Sequence, residues 1–223
     1  MYFLLTAPHP DDDIIGLGDY ISTLIQENHE VGVWFMTDGN NKERRVEATK
    51  ALNVLNVENI YWSTLPFYKS KERIWTGKDV RICTNMLNMI SPFNLAICYD
   101  ADPHSTHIKC FQILKQSLIN TSFKNLKNIY LYRSAWGQTT FYNMANHRLI
   151  EKHVTQKALK LRSLKHHTSQ MMLDVSDGFG NNLIDRGNLD KEYFYKIHIS
   201  EINTISPCFP ILHRRFVKTN DIC

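Results

Sequence analysis

The segment YFLLTAPHPDDDIIG, residues 2–16, joins an apolar run directly to a histidine and three consecutive aspartates. Residues 2–6 predict a short buried strand, and the apolar residues between positions 14 and 25 recur at the spacing of one helix face. The HPDDD stretch between them is therefore the turn from a strand into a helix. Because three carboxylates follow a buried strand so closely, the fold has to provide partners for their charge.

The same alternation of strand and helix continues along the chain. Further strands are predicted at residues 31–36, 59–63, 95–99 and 129–132. Further helices are predicted at residues 42–55, 80–90, 106–118 and 149–170. This rhythm indicates an α/β fold with a Rossmann-like, mostly parallel sheet and helices on both faces.

Three polar stretches follow the carboxyl ends of predicted strands: HPDDD, TDGN at residues 37–40 and DADPHSTH at residues 100–107. Ligands of such sheets bind in the crevice outside the carboxyl ends of the strands. We therefore expect the three stretches to converge on one edge of the sheet.

Length and composition favour a single globular domain over residues 1–223, with the architecture of residues 176–223 left open. The formal net charge is +4 and the basic residues are scattered, which argues against a nucleic-acid-binding surface. The five cysteines form no CxxC pair or regular framework, as in reduced intracellular proteins. The first apolar run is too short for a signal peptide and no segment has the length of a membrane span, so we expect a cytoplasmic protein.

Imidazoles and carboxylates recur after two of the predicted strands. His9, Asp11 and Asp12 lie in the first turn, and His104 and His107 follow a later strand. Together they can form a His/Asp/His metal site, in which zinc takes three protein ligands and keeps a position for water. Two structural alternatives stay open: the aspartates can cap a helix, and the later histidines can lie on a solvated helix face. The joint occurrence at the ends of two predicted parallel strands favours the metal site.

The sequence resembles the PIG-L/LmbE-like family of zinc-dependent de-N-acetylases in several motifs. APHPDDD at residues 7–13 is similar to the AHPDDE-type motif of that family. The other matching stretches are TDG at 37–39 followed by Arg44, Glu47 and Ala48, LPFY at 65–68, DPHSTH at 102–107 and KHHTSQ at 165–170. The likeness covers residues 2–170 and is greatest to the branch that is fused to glucosamine-6-phosphate deaminase-like domains.

The resemblance implies a role for each residue of the two main motifs. His9, Asp12 and His107 are expected to bind zinc, or another divalent metal such as Fe²⁺. Asp11 is the expected general base, and His104 the residue that stabilises the oxyanion or assists proton transfer. The implied reaction is hydrolysis of the N-acetyl group of an N-acetylglucosamine-type sugar or sugar conjugate, which releases acetate and the free amine.

Six further residues are candidates for contact with this substrate: Arg44, Tyr68, Arg133, Trp136, Tyr142 and His167. The aromatic candidates and Arg133 lie in predicted loops, where sugar stacking and hydroxyl contacts are plausible and simple packing is the alternative. Arg44 and Glu47 stand three apart on a predicted helix, so a surface ion pair is the alternative for them.

Two positions depart from the family pattern. Asp13 stands where a glutamate is more usual, and we expect it to support the start of the helix rather than contact a metal. The second motif reads HSTH instead of HPDH, so the aspartate before its last histidine is missing. Asp100 or Asp102 can orient an imidazole in its place.

Two other functions are compatible with the sequence. One is a carbohydrate- or nucleotide-binding protein that keeps the metal pocket without turnover. The other is an amidase that acts on a non-sugar N-acyl conjugate. In each case the expected partner is a small molecule rather than a nucleic acid.

Overall fold

The computed structural model describes residues 1–66, 75–99, 105–134, 147–171 and 189–205. Within these residues the strands are β1 (Tyr2–Ala7), β2 (Glu30–Phe35), β3 (Asn59–Trp62), β4 (Asn94–Cys98), β5 (Asn128–Tyr132), β6 (Leu149–His153) and β7 (Lys191–His198). The helices are α1 (Asp12–Gln26), α2 (Lys42–Val54), α3 (Gly77–Ile90), α4 (Ser105–Asn120), α5 (Lys157–Leu164) and α6 (Thr168–Met171), and a 3₁₀ helix, Ile199–Thr204, follows β7.

The strands form one sheet in the order β3-β2-β1-β4-β5-β7-β6. The first five strands in this order run parallel, whereas β7 pairs antiparallel with both β5 and β6. The predicted α/β, Rossmann-like sheet is thereby confirmed, and an antiparallel pair extends it at one edge.

Helices cover both faces of the sheet, as the sequence predicts. On one face Leu4 and Trp34 pack in the same apolar cluster as residues of α3 and α4. On the other face Phe3, Leu5 and Val33 pack with residues of α1, α2 and the end of α5. Because alternate residues of β1 enter opposite clusters, β1 is buried on both faces, which explains its continuous apolar sequence.

The prediction of one long helix at residues 149–170 is wrong. Leu149–His153 forms the edge strand β6, which pairs with β7, and the helical part divides into α5 and α6. The sequence LIEKH has no strong period of its own, so its state depends on pairing with a strand about 40 residues later. That partner, β7, lies in the region whose architecture the sequence left open.

β1 lies where the strand order changes direction, with β2 on one side and β4 on the other. The helix that follows β1 packs on one face of the sheet, and the helix that follows β4 packs on the opposite face. This arrangement opens a crevice at the carboxyl ends of β1 and β4, the usual place for a ligand in such sheets. In the described part of the chain, no helix combines the length and apolar character that crossing a membrane requires.

Candidate active site

Three ligand-type atoms converge in the crevice at the carboxyl ends of β1 and β4. Nδ1 of His9 lies 3.2 Å from Oδ2 of Asp12 and 3.1 Å from Nε2 of His107, and Nε2 of His107 lies 3.3 Å from Oδ2 of Asp12. In tetrahedral zinc coordination at about 2.0–2.1 Å, ligand atoms lie about 3.3–3.4 Å apart. The three atoms therefore fit one face of a tetrahedral metal site, and the donor set of two imidazoles and a carboxylate suits zinc.

Each of the three side chains comes from a different place in the fold. His9 lies in the turn after β1, Asp12 is the first residue of α1, and His107 is in the first turn of α4. The backbone N–H of His9 donates to Oδ2 of Asp12 over 2.9 Å, which fixes the carboxylate against the turn. The turn after β1 thus supplies two of the ligand-type atoms, and the first turn of α4 supplies the third.

The cluster is buried, with relative exposures of 7% for His9, 3% for Asp12 and 2% for His107. Burial lowers the pKa of His9 and so favours the neutral imidazole, the form that binds metals. Burial by itself raises the pKa of Asp12, but His107 and His9 outweigh it and hold that pKa well below its usual range. The metal-free cluster therefore combines an ionised carboxylate with imidazoles next to it.

Asp11 lies between His9 and Asp12 in the turn and has an unusual backbone conformation, with φ of 137°. Its N–H donates to Oδ1 of Asp13 over 3.2 Å, so Asp13 supports the turn, and the burial of Asp13 raises its pKa to about 8. Burial likewise raises the pKa of Asp11 to about 7, although Arg44 acts in the opposite direction. A positive φ is costly for a residue with a side chain and is typical of functional turns.

Arg44 contacts the turn from α2. Its Nη2 lies 3.2 Å from Oδ2 of Asp11 and also donates to the carbonyl oxygen of Pro10, and its Nη1 lies 3.8 Å from Oδ2 of Asp38. The alternative of a surface ion pair between Arg44 and Glu47 is wrong, since Glu47 is buried and bonds elsewhere. Arg44 and Glu47 lie three residues apart on α2, as predicted, but each of them binds residues that are distant in sequence.

The carboxylate of Glu47 instead holds the residues that follow His167. It accepts from Oγ1 of Thr168 over 2.7 Å, from the N–H of Ser169 over 2.6 Å and from Oγ of Ser169 over 2.7 Å. His167 is fully buried, and among the residues that the structure describes neither of its ring nitrogens has a hydrogen-bond partner. Burial and the charge of Arg44 lower its pKa to about 3, so the ring is neutral at physiological pH.

Four of the sequence-predicted site residues lie outside the described residues: Tyr68, His104, Trp136 and Tyr142. Asp100 and Asp102, the candidates for orienting an imidazole, lie outside them as well. Arg133 follows β5, and its guanidinium lies 5.6 Å from the ring centroid of Tyr193 in β7. The structure therefore brings together His9, Asp11, Asp12, Arg44 and His107.

Two residues near the cluster were not named as individual site candidates. Asp38, in the turn after β2, forms the second ion pair of Arg44. Cys98, the last residue of β4, places its Sγ 3.9 Å from Nδ1 of His107 and 3.5 Å from Oγ of Ser134. Asp38 belongs to the TDGN stretch that was expected at this edge of the sheet, and Cys98 ends a parallel strand, so the same strand-end argument could have selected Cys98 too.

Similar solved structures share this fold. The N,N'-diacetylchitobiose deacetylase from Pyrococcus horikoshii has 20% identity and a TM-score of 0.68, over 90% of this chain and 85% of its own. The zinc-inhibited form of the teicoplanin deacetylase Orf2 has 16% identity and a TM-score of 0.64, over 89% of this chain and 98% of its own. At such identities the likeness concerns the fold, and it agrees with the predicted deacetylase-like architecture.

A curated relative and a family model match the sequence itself. A glucosamine-6-phosphate deaminase-like protein of Bacteroides thetaiotaomicron is 24% identical over 75% of this chain, and the chain spans 35% of that relative's length. The PIG-L family model, described as GlcNAc-PI de-N-acetylase, matches residues 4–118, which run from β1 to α4 and include all three residues of the cluster. Because this match covers just over half of the sequence, the chain belongs to the PIG-L family.

Proposed function

We propose that the chain is a metal-dependent de-N-acetylase that hydrolyses the N-acetyl group of an N-acetylglucosamine-type sugar or sugar conjugate to acetate and a free amine. The observation that carries this proposal is the convergence of three ligand-type atoms within 3.3 Å of one another, with Asp11 beside them in the same turn. Membership of the PIG-L family and the deacetylase fold support it.

His9, Asp12 and His107 would hold the metal. Zinc is the ion we propose, and the fit of the three atoms to a tetrahedral face and the zinc-inhibited Orf2 structure support it, with Fe²⁺ as the alternative. A zinc ion there would supply Lewis acidity, since it polarises a carbonyl and lowers the pKa of a bound water to about 7.

Asp11 is the proposed general base and acid. Its carboxyl group lies in the same turn as Asp12, and burial raises its pKa, which makes it a stronger proton acceptor. It would take a proton from the attacking water as the new carbon–oxygen bond forms. It would then give that proton to the amide nitrogen, so that the carbon–nitrogen bond breaks with a neutral amine as the leaving group.

The remaining residues are proposed to bind the substrate or stabilise charge. Arg44 lies beside Asp11 and so borders the position of the reacting amide. The roles of His104 in stabilising the oxyanion and of His167 in contacting the substrate stay predictions from the resemblance. Substrate contacts by four residues of predicted loops stay predictions from the sequence: Tyr68, Arg133, Trp136 and Tyr142. A cytoplasmic location and a small-molecule partner stay predictions as well.

The test is release of acetate or free amine by the zinc-loaded protein from a panel of N-acetylglucosamine derivatives: free, phosphorylated, nucleotide-linked and oligomeric. We expect turnover of at least one member, a loss of about 100-fold or more in Asp11→Ala because the general base is gone, and zinc binding unchanged in that variant. Asp190→Ala is the matched control, since this exposed carboxylate lies 3.0 Å from Nζ of Lys157 at the surface.

Other results would point to the alternative functions. If zinc binds but no member of the panel is hydrolysed, a non-sugar N-acyl conjugate or a binding protein without turnover becomes the better explanation. Full activity of Asp11→Ala would refute the proposed role of that carboxylate.

A further inference from the structure

Helix α1, which begins with Asp12, is broken one turn later. Leu17 has φ of −139° and ψ of 23°, which are not helical, so a first segment of residues 12–16 precedes the break and the rest of α1 follows it. Such a break removes intrahelical hydrogen bonds on both sides. Buried backbone groups next to Leu17 therefore need other partners.

Two buried charged side chains provide these partners. Glu192 of β7 accepts from the N–H of Asp19 over 2.7 Å and from the N–H of Tyr20 over 2.8 Å, and so caps the second segment. Nζ of Lys160, from α5, donates to the carbonyl oxygen of Ile15 over 2.9 Å and so caps the first segment. The same Nζ lies 2.7 Å from Oε1 of Glu192, and both side chains are fully buried.

The glycines on either side of Leu17 make this geometry possible. A Cβ on Gly16 would lie 2.5 Å from ring carbons of Tyr132, so the first segment presses closely on the end of β5. A Cβ on Gly18 would lie 3.4 Å from Cγ of Lys160, so the lysine stem passes directly over this position. Tyr132 thus contacts the first segment, whereas the Lys160 stem passes over the start of the second segment before its Nζ reaches Ile15 of the first.

A second ion pair, between Lys152 and Asp19, contacts only the part of α1 after the break. The carboxylate of Asp19 also accepts from the N–H of Thr155 over 3.0 Å and from the N–H of Gln156 over 2.6 Å. These contacts anchor the second segment to the chain between β6 and α5. Lys152 therefore offers an internal comparison for Lys160.

We propose that Lys160 and Glu192 act as a positioning pair that fixes the first segment of α1 and thereby sets metal affinity through Asp12. This inference rests on the metal site of the proposed function. Two hydrogen bonds connect Lys160 to the residue before Asp12. The carbonyl oxygen of Ile15 accepts from Nζ of Lys160, and the N–H of Ile15 donates to the carbonyl oxygen of Asp11 over 2.9 Å. A buried ion pair alone adds little stability compared with apolar residues of similar size. The contacts to both sides of the break give this pair its positional role.

The test is the zinc affinity of the full chain, measured by competition with a chromophoric chelator, together with urea unfolding. We expect Lys160→Met to bind zinc about tenfold more weakly, as is typical when a residue that orients a metal ligand is removed. The control is Lys152→Met, for which we expect zinc affinity within about twofold of the wild type and a lowered free energy of unfolding.

Lys160→Met leaves the charge of Glu192 buried without its lysine, so that variant can fail to fold. The double variant Lys160→Met/Glu192→Gln removes both charges, and we expect it to fold and to show the same tenfold loss of zinc affinity. Wild-type affinity in the folded variants would overturn the positioning role, and so would an equal loss in Lys152→Met. A wild-type chain that binds no zinc would instead refute the metal site itself.

Discussion

At the scale of single residues, the three consecutive aspartates have three different sets of partners. Asp11 faces Arg44, Asp12 joins the two imidazoles, and Asp13 supports the backbone of the turn. Each carboxylate of the charged turn after β1 is therefore accounted for separately. Because the three carboxylates have separate partners, the proposed metal ligand Asp12 lies next to Asp11, a carboxylate whose pKa is raised to about 7.

Arg44 should affect turnover without affecting the metal. Its guanidinium contacts Asp11 and Pro10, and the three ligand-type atoms of the cluster contact one another instead. We expect Arg44→Met to lower kcat/KM for the N-acetylated substrate by about tenfold or more while zinc affinity stays within about twofold.

The matched control for this prediction is Arg45→Met. Arg45 is the next residue of α2, is exposed, and lies over the ring of Trp62 with 5.1 Å to the centroid. We expect wild-type kinetics from it. An equal loss in both arginine variants would mean that charge on α2, rather than the contact to Asp11, matters.

The sequence could identify these residues but not all of their partners. The strand-end argument selected the stretches HPDDD and DADPHSTH, because parallel strands bring their carboxyl ends to one edge, and the resemblance then singled out His9, Asp12 and His107 within them. It could not show that Arg44 forms an ion pair with Asp11 or that Glu47 accepts a hydrogen bond from Ser169, because both contacts join segments that are distant in sequence. Spacing on one helix predicts only which side chains can meet on that helix.

At the scale of elements, Glu47 joins α2 to the start of α6. Burial by itself raises the pKa of Glu47, but hydrogen bonds from Ser169 and Thr168 outweigh it and lower that pKa below its usual value. Since the folded pKa is the lower one, this carboxylate adds stability above its unfolded pKa, about 4.3, and the contribution is lost as pH falls through the folded pKa.

We therefore expect Glu47→Gln to lower the free energy of unfolding at pH 7 by about 1–3 kcal/mol, and the difference from the wild type to shrink below about pH 4. Urea unfolding between pH 3 and pH 7 measures both effects. Glu43→Gln, at an exposed position in the first turn of α2, is the control and should differ little at any pH. A difference for Glu47→Gln that grows as the pH falls would contradict the assigned pKa direction.

Gly16 tests how closely α1 packs on the sheet. An added Cβ would lie 2.5 Å from ring carbons of Tyr132 and 2.9 Å from the carbonyl oxygen of Arg133. Alanine favours helix by about 1 kcal/mol over glycine, but the overlap dominates, so we expect Gly16→Ala to destabilise the fold by about 1–3 kcal/mol. At Gly77, the first residue of α3, the nearest atom would be 3.9 Å away, and Gly77→Ala should leave stability unchanged or slightly increased. Equal urea midpoints for the two variants would rule out the close contact.

The elements themselves were predictable to different degrees. Buried parallel strands such as β1 and β4 are mostly apolar, and the apolar residues of the helices that follow them recur at helical spacing, so both could be predicted from local sequence. β6 could not, because LIEKH is half exposed and is a strand only through its pairing with β7. The break at Leu17 was also missed, since an apolar period continues across it and only the two flanking glycines signal it.

At the scale of the whole molecule, the cluster of His9, Asp12 and His107 combines residues from helices, or from the turn before a helix, on opposite faces of the sheet. His9 and Asp12 belong to the crossover that packs with α2 and α5, and His107 belongs to α4, which packs with α3. A bound ion would therefore link the two layers at the change in strand order. Because it binds the folded chain and finds no preformed site in the unfolded one, it should stabilise the whole domain.

Metal removal should consequently lower the melting temperature of the entire fold. At a free zinc concentration about 100 times the dissociation constant, linkage predicts about 2.7 kcal/mol of stabilisation, or about 5–10 °C in Tm for a chain of this length. Calorimetry of the zinc-loaded and chelator-treated wild type measures the shift. In His107→Gln, which lacks one of the three ligand-type atoms, the shift should vanish. If zinc raises the Tm of this variant and of the wild type equally, the ion binds elsewhere, and the cluster at the carboxyl ends of β1 and β4 does not hold it.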